Sequence, residues 1–282
     1  KINIKDINTM QIAQLSMYEG REVSLNGWIS NKRTGKGLAF IILRDGSGFA
    51  QCVVDSSVVT EQEMDLACSA TLESSVSLSG IVIKDERQLG GYEVSVRSFK
   101  IIHKAEEYPI AKKEHGVDFL MQNRHLWLRS RKQWANMRIR NAIIFGMHKY
   151  FQENDFVQMD APIFTGNACE GTTTLFSTDF YGEEAYLSQS GQLYGEAMAM
   201  SLGKIYTFGP TFRAEKSKTR RHLSEFWMIE PEMAFYDLDM NMDLIEDFIR
   251  YLIVEVIDKC KNELDVLGRD IEMLQKANVS FP

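Results

Sequence analysis

The residues best suited to chemistry lie in the second half of the chain, where a predicted strand ends in the sequence Phe-Arg-x-Glu. This ending holds Arg213 and Glu215, and after a basic loop the chain returns through His222 and Phe226. A guanidinium is planar and always charged, so Arg213 can hold a phosphate and a carboxylate together better than a lysine could. The pattern indicates a site for anionic groups. A β-hairpin with a solvated charged loop is the alternative.

Two further segments, 169–176 and 186–194, carry polar residues that suit a small-molecule pocket. Each such residue, taken alone, would more often be an ordinary surface residue. A family resemblance, and not their spacing, groups them with the arginine motif into one pocket. The candidates in these segments and on the returning strand are Glu170, Ser190, Gln192, Glu225 and Glu230.

Residues of the first half could read an unpaired base. Phe40 lies on one predicted strand and Gln51 on the next, and the basic Arg33 lies shortly before them. Stacking on an aromatic ring, with one polar contact to a base edge, is how proteins recognise single-stranded nucleic acid. Phe40 could instead belong to a core, and Gln51 could be an exposed strand residue.

These motifs resemble those of the class II aminoacyl-tRNA synthetases, and nearly the whole chain is similar to the asparaginyl-tRNA synthetases of bacterial type. A predicted helix over 130–153, a strand over 156–159 and Pro162 resemble the first motif of the class, which forms the dimer interface. The Phe-Arg-x-Glu hairpin resembles the second motif. In this class the amino acid attacks the α-phosphate of ATP and expels pyrophosphate, so positioning and cationic stabilisation carry the catalysis.

The resemblance implies a role for each candidate. Residues that would bind ATP are Arg213, which would also be catalytic, Glu215, His222 and Phe226, whose ring would stack on adenine. Residues that would bind the amino acid are Glu170, in a loop that closes over it, Ser190, Gln192, Glu225 and Glu230. Residues that would bind the tRNA anticodon are Phe40, Gln51 and Arg33.

One missing cation indicates which amino acid is bound. Aspartyl enzymes resemble the chain in both halves, but they carry a lysine three residues after the position of Gln192, where it suits the substrate's carboxylate. Here that position is Gly195. A neutral amide needs an acceptor for its NH₂ group, and Glu225 is the family's candidate. We therefore expect asparagine as the substrate, with an aspartyl enzyme of relaxed specificity as the alternative.

Two domains are expected to position these residues. Residues 20–103 read as five short strands with a helix between the third and fourth, which fits an OB-fold β-barrel, although another small barrel is possible. We predict an anticodon-binding domain over 1–105 and a hinge over 106–125. Residues 126–282 mix helical and strand patterns and are predicted to form an α+β class II catalytic domain, an antiparallel sheet with helices, incomplete at its C-terminus.

Composition is that of an ordinary globular protein, with 44% hydrophobic and 25% charged residues. No apolar run is long enough to span a membrane, and no secretion signal is evident. The four cysteines lack zinc-ligand spacing, so we expect reduced thiols, a cytoplasmic location and no metal site within this chain. The net charge of −7 argues weakly against a nucleic-acid partner, although basic residues cluster locally.

The family's sequence continues beyond residue 282, with a third motif that carries an ATP-binding arginine and with acidic residues that bind magnesium. We therefore expect ATP and Mg²⁺ as cofactors, with the metal ligands outside this chain. Expected partners are tRNA(Asn), asparagine and a second copy of the chain, which would pair through the first-motif helix. Residues 1–282 alone are expected to be inactive. A non-enzymatic tRNA-binding or dimerising fragment is one alternative. A tRNA-independent asparagine synthetase is another, but such relatives lack the anticodon domain.

Overall fold

The computed structural model describes residues 10–88, 90–110, 113–167, 175–217, 219 and 221–279, with side chains up to residue 276. The chain forms two compact units. The first unit contains Lys1–Arg138 and Lys261–Arg269, and the second contains Ile139–Cys260 and Asp270–Pro282. Glu170 lies outside the described residues, so its predicted place in the pocket stays a prediction.

The first unit is built on a closed five-stranded barrel with the strand order β1-β2-β3-β5-β4. All strand pairs are antiparallel except β3 with β5. This confirms the predicted OB-fold barrel, including the helix between the third and fourth strands. The elements are β1 (Glu22–Gly35), β2 (Leu38–Arg44), β3 (Phe49–Asp55), α1 (Glu61–Ser69), β4 (Ser75–Lys84) and β5 (Tyr92–His103).

Strand β1 illustrates why this sequence forms a barrel. Every second residue from Val23 to Ile29 is buried and the residues between them are exposed, which is the period of a strand with one face on a core. Gly27 allows the barrel to close tightly, because a Cβ atom there would lie 2.5 Å from the carbonyl oxygen of Arg44. Helix α1 begins with a capping box between Thr60 and Glu63.

The first unit contains further helical elements besides α1. A short 3-10 helix (Ile12–Tyr18) precedes β1, and further helices are α2 (Val117–Gln122), α3 (Arg124–Trp127), the first turns of α4 (Arg131–Glu153) and α7 (Lys261–Val266). The segment 106–125, which we expected to be an irregular hinge, therefore contains a helix. The indole of Trp134 donates to the carbonyl oxygen of Gly46 at 2.8 Å, which fixes the start of α4 on the barrel.

Buried charges attach the segment before α4 to the same barrel. Arg44 donates two hydrogen bonds to the carboxylate of Glu73, at 3.0 and 2.8 Å, and Arg129 donates a third at 2.9 Å. Arg44 and Glu73 are buried, and Glu73 has a left-handed backbone with φ of 65°. A strained, buried carboxylate of this kind is stable only when its partners compensate its charge.

The second unit contains two three-stranded sheets. The first has the order β11-β10-β6 and the second the order β7-β9-β8. Strand β10 pairs antiparallel with β11, as predicted, but parallel with β6, which the sequence pattern did not indicate. The strands are β6 (Val157–Met159), β7 (Phe164–Thr165), β8 (Ser177–Phe180), β9 (Glu183–Leu187), β10 (Lys204–Phe212) and β11 (Glu225–Met233). The helices are the remainder of α4, α5 (Gln192–Leu202), α6 (Leu238–Lys259) and α8 (Ile271–Val279).

An aromatic cluster joins α4 to this first sheet. Phe151 stacks on Tyr206 of β10 with ring centroids 4.9 Å apart, and both side chains are fully buried. The Tyr206 hydroxyl lies 2.9 Å from Nδ1 of His148 and donates to the amide oxygen of Gln158 in β6. The predicted helix over 130–153 is confirmed, since α4 spans Arg131–Glu153. Its Phe151 packs on Tyr206 of β10, the strand that leads to the arginine motif.

Candidate functional site

The β10–β11 hairpin forms a cavity of about 400 Å³ at the loop that joins its two strands. Arg213 is the first residue after β10, and its backbone N–H donates to the carbonyl oxygen of Ser224 at 3.0 Å. Phe226 lies on β11 opposite Thr211. All four predicted ATP-binding residues line the cavity, together with four neighbours. The lining residues are Arg213, Glu215, Ser217, Arg221, His222, Leu223, Ser224 and Phe226.

The charges of this cavity favour an anionic ligand. Two guanidinium groups, on Arg213 and Arg221, and the imidazole of His222 surround it, against one carboxylate, on Glu215. The imidazole Nδ1 lies 2.5 Å from the hydroxyl of Thr219, which holds the ring within the loop. The half-buried Phe226 supplies a flat apolar wall. The cavity can therefore hold a phosphate-bearing ligand that also has a planar group.

A second group of predicted residues lies beside the end of β10. The backbone N–H of Phe212 donates to the carbonyl oxygen of Ser188 at 2.9 Å, so the 188–191 turn lies next to Arg213 in the fold. The Glu230 carboxylate accepts from the Ser190 hydroxyl at 2.5 Å and from the backbone N–H of Gly191 at 2.9 Å. The structure thus brings Ser190 and Glu230 together and shows that Glu230 holds the turn in place.

Gly191 is required at this turn. A Cβ atom there would lie 2.5 Å from the hydroxyl oxygen of Thr207, and the same hydroxyl donates to Glu230 at 3.3 Å. Any side chain at this position would separate the turn from β10 and β11. The close packing explains why a glycine follows the buried Ser190.

Two other residues that were predicted to bind the amino acid, Gln192 and Glu225, have exposed side chains. Gln192 is exposed, and its side chain donates to Glu196 at 2.8 Å rather than to Ser190 or Glu230. Glu225 is also exposed, at the first position of β11, and it does not line the 400 Å³ cavity. On β11, burial raises the pKa of Glu232, and the nearby carboxylates of Glu196 and Glu230 raise it further. The sequence reading missed Glu196 and Glu232, since their proximity depends on the packing of α5 on β11.

A larger cavity, of about 460 Å³, lies along β10 on the side of β6. Pro162 lines it, as do Glu230 and Gly191 from the turn region. Three aromatic side chains line it, those of His148, Phe208 and Trp227. The ring centroid of Phe208 lies 5.4 Å from that of His148 and 5.1 Å from that of Trp227. The role predicted for Pro162 at a dimer interface stays a prediction.

The predicted base-reading residues share one outer face of the barrel. Phe40 pairs across the strands with Arg33, whose guanidinium lies 4.4 Å from the ring centroid. Phe40 is half-buried and lies outside the barrel's core cluster. Gln51 pairs with Glu93 of β5, and its amide donates to that carboxylate at 2.8 Å. Glu93 was missed from the sequence because its pairing with Gln51 depends on barrel closure.

The described part of the chain offers no metal site. Within it, no three His, Cys, Asp or Glu side chains are grouped so that they could hold an ion. Cys52 and Cys260 are buried, and Cys68 is exposed. Burial, with a smaller effect from the Glu93 carboxylate, raises the pKa of Cys52 to about 12, so this thiol stays protonated. No helix among the described residues has the length and apolar character that crossing a membrane requires.

Comparison with known proteins assigns both units. The family described as tRNA synthetases class II (D, K and N) matches residues 116–280, and the family described as OB-fold nucleic acid binding domain matches residues 23–102. The chain is 51% identical over 271 residues to the asparagine–tRNA ligases of Pelotomaculum thermopropionicum and Desulforamulus reducens. These matches cover 96% of this chain and 63% of each relative, so the chain spans less than two thirds of their length.

A solved structure supports the same assignment. The asparaginyl-tRNA synthetase of Pyrococcus horikoshii, in complex with asparaginyl-adenylate, superimposes with a TM-score of 0.89 at 34% identity. The match covers 98% of this chain and 64% of that one. Because the synthetase family matches more than half of the residues and the fold agrees over nearly all of them, the chain belongs to the class II tRNA synthetases of the D, K and N group.

Proposed function

We propose that this chain carries the anticodon-binding barrel and part of the catalytic domain of an asparagine–tRNA ligase. Such an enzyme uses ATP to form asparaginyl-AMP and then transfers asparagine to tRNA(Asn). The observation that carries the proposal is the convergence of Arg213, Glu215, His222 and Phe226 on one cavity. The 51% identity to asparagine–tRNA ligases supports the choice of amino acid.

In the activation step, an oxygen of the asparagine carboxylate would attack the α-phosphorus of ATP, and the bond to pyrophosphate would break. Negative charge would develop on the phosphoryl oxygens, and the guanidinium of Arg213, beside the 188–191 turn, would stabilise it. Glu215 and His222 would hold the nucleotide, and Phe226 would stack on its base. The Phe212–Ser188 hydrogen bond keeps these two halves of the site in register.

The geometry around Gly195 favours asparagine over aspartate. A Cβ atom at this buried position would lie 3.2 Å from Cγ of Glu232 and 3.3 Å from Cδ1 of Ile205. Any side chain at this position, including the lysine that aspartyl enzymes carry here, would therefore require Glu232 or Ile205 to shift slightly. Without that cation, the nearby carboxylates Glu230 and Glu232 would repel the side chain of aspartate, whereas the neutral amide of asparagine avoids the penalty.

On the barrel, the Phe40 ring would stack on one anticodon base and Gln51 would read its edge. Because Glu93 accepts from the Gln51 amide nitrogen, the amide oxygen of Gln51 is left to accept from a base. Arg33 lies over Phe40 and would contribute a phosphate contact or a second stacking surface. Glu93 thereby becomes a positioning residue for Gln51.

Further features of the proposal follow from the family assignment. ATP would be used with Mg²⁺, although no three His, Cys, Asp or Glu side chains among the described residues are grouped so that they could hold the ion. A homodimer would form through α4 and the Pro162 region, where Phe145 is 62% exposed and Met137 is 51% exposed. The protein would act in the cytoplasm, where translation takes place.

Pyrophosphate exchange with each amino acid in turn tests the proposal. The assay should use the longest natural polypeptide that contains this sequence. Exchange that depends on asparagine is expected, with aspartate at least tenfold less effective. A preference for aspartate would contradict the amino-acid assignment and leave the reaction class intact. Absence of exchange with every amino acid, in a protein that still binds tRNA, would favour the non-enzymatic alternative.

A further inference from the structure

A second outer face of the barrel has the chemistry of an RNA-binding surface. It is formed by β1, β4 and β5, on the side of the barrel away from the β2 and β3 strands that carry Phe40 and Gln51. Cross-strand pairing aligns three rows of outward residues on it. The rows are Ser24–Ser79–Ser98, Asn26–Ser77–Lys100 and Trp28–Ser75–His103.

This serine face, as we call these nine positions, contains no carboxylate. Six of its residues are neutral hydrogen-bonding groups, one is a lysine and one is a histidine. The chain as a whole has 39 acidic residues and a net charge of −7. One carboxylate borders the face, that of Glu63, which forms a hydrogen bond with the side chain of Ser98. The nearest acid along β1 is Glu22, which pairs with Ile81 beyond the last row. The charged residue among the nine positions is Lys100, so these positions carry a positive charge in a protein whose net charge is negative.

Trp28 gives the serine face an aromatic surface. Its side chain is 45% exposed although it lies on a strand, and the guanidinium of Arg44 lies 5.6 Å from its ring centroid. An exposed indole beside hydroxyl groups and a lysine is the combination with which proteins bind single-stranded nucleic acid, because every base can stack and every phosphate can accept. Lys100 is exposed, as are Arg97 and Lys104 on either side of it along the chain.

We propose that the serine face is a second RNA-contacting surface of the barrel, which binds the sugar–phosphate backbone of the tRNA outside its anticodon loop. Lys100 would contact a phosphate, the serine and asparagine side chains would donate to backbone oxygens, and Trp28 would stack on an unpaired base. The inference rests on the proposed function for the identity of the RNA. It does not depend on Phe40 or Gln51.

Binding of two RNAs by the whole chain tests the proposal. One RNA is a tRNA(Asn) transcript, and the other is its isolated anticodon stem–loop. Lys100→Gln should weaken binding of the whole tRNA roughly fivefold and reduce the magnitude of its salt slope by about 0.7–0.9, as expected for one lost phosphate contact. Trp28→Ala should weaken it roughly fivefold or more, and Trp28→Phe should restore most of that loss.

The controls separate this surface from the anticodon site. Lys84→Gln removes the same charge from an exposed lysine at the end of β4, where it pairs with Glu86, and should leave both affinities unchanged. The Lys100 and Trp28 variants should leave the stem–loop affinity unchanged, whereas Phe40→Ala should weaken both RNAs. If Trp28→Ala fails to fold, Ser77→Asp places an acid in the middle row and should weaken whole-tRNA binding.

The outcomes are distinct. Wild-type affinity and salt slope for the whole tRNA in Lys100→Gln and Ser77→Asp would overturn the inference. Equal losses for the stem–loop and the whole tRNA would also overturn it, because the face would then belong to the anticodon site. Losses confined to the whole tRNA, with no effect of Phe40→Ala, would support the serine face and contradict the proposed anticodon site.

Discussion

The barrel of the first unit and the β10–β11 hairpin of the second position their site residues in different ways. Phe40 and Gln51 lie within strands that are paired on both sides, and Arg33 and Glu93 contact them across the ladder. Arg213, in contrast, follows the last residue of its strand. A closed barrel fixes each outward side chain through its register, whereas a hairpin end depends on a few contacts at that end.

The two units also differ in the size of their buried cores. The buried cluster of the barrel includes residues from all five strands and α1. The aromatic cluster of the second unit is smaller, and several large apolar side chains outside it are exposed, among them Met200 at 87% and Leu238 at 71%. The barrel should therefore be the more independent folding unit, and its site should tolerate changes in the second unit.

The largest effect should come from the buried charges of the first unit. Glu73→Gln leaves Arg44 without its buried carboxylate and should destabilise this unit by about 3 kcal/mol. Urea unfolding in a Trp227→Phe background measures this, because the remaining tryptophans all lie in the first unit. Glu86→Gln, which removes an exposed partner of Lys84, is the control and should change stability by less than about 0.5 kcal/mol. A similarly small effect for Glu73→Gln would mean that the network adds little to the barrel.

Arg213→Lys tests whether the hairpin site depends on geometry rather than charge. It should lower asparagine-dependent pyrophosphate exchange at least a hundredfold, about 2.7 kcal/mol in activation free energy, because a lysine cannot contact two anionic groups in the same fixed plane. Thermal stability should stay unchanged, since the side chain lies outside both core clusters. The natural polypeptide that includes this sequence is the enzyme to assay. A near-normal rate of pyrophosphate exchange in this variant would contradict the catalytic role proposed for Arg213.

Phe40→Ala tests the proposed base-reading site on the barrel. Loss of a stacking surface should weaken binding of the anticodon stem–loop by roughly 1–3 kcal/mol, with a folded barrel and an unchanged rate of pyrophosphate exchange. Fluorescence anisotropy at two salt concentrations measures the affinity. Ile42→Ala, on the same outer face of β2, is a matched truncation that should have a smaller effect. Equal effects of the two variants would assign Phe40 to general packing.

The smallest effect concerns the pH dependence of the barrel. The backbone N–H of Thr60, its hydroxyl and the N–H of Phe99 lower the pKa of Glu63 from 4.5 to about 2. Because the folded-state pKa is depressed, the contribution of Glu63 to stability is present above pH 4.5 and is lost as the pH falls towards 2. Glu63→Gln should therefore flatten the stability profile between pH 5 and 2. Glu61→Gln, in the same helical turn, is the control; a matching change in both variants would contradict this account.

Residue patterns along the chain were enough to predict the barrel and the hairpin motif. Alternating burial along β1 follows directly from its residue pattern. The four residues of the ATP motif could be grouped in advance because they lie within fourteen positions of one another on a single hairpin. Local patterns are informative where neighbouring residues in the chain are also neighbours in the fold.

Contacts between residues far apart in the sequence became visible only in the folded chain. It paired Gln51 with Glu93, 42 residues apart, and it placed the Glu230 carboxylate on the Ser190–Gly191 turn. It also aligned the serine face, whose rows join strands that are distant in sequence. These contacts depend on strand register and barrel closure, which arise from the burial of the whole core. No short stretch of sequence specifies them, because each partner's pattern is compatible with several pairings.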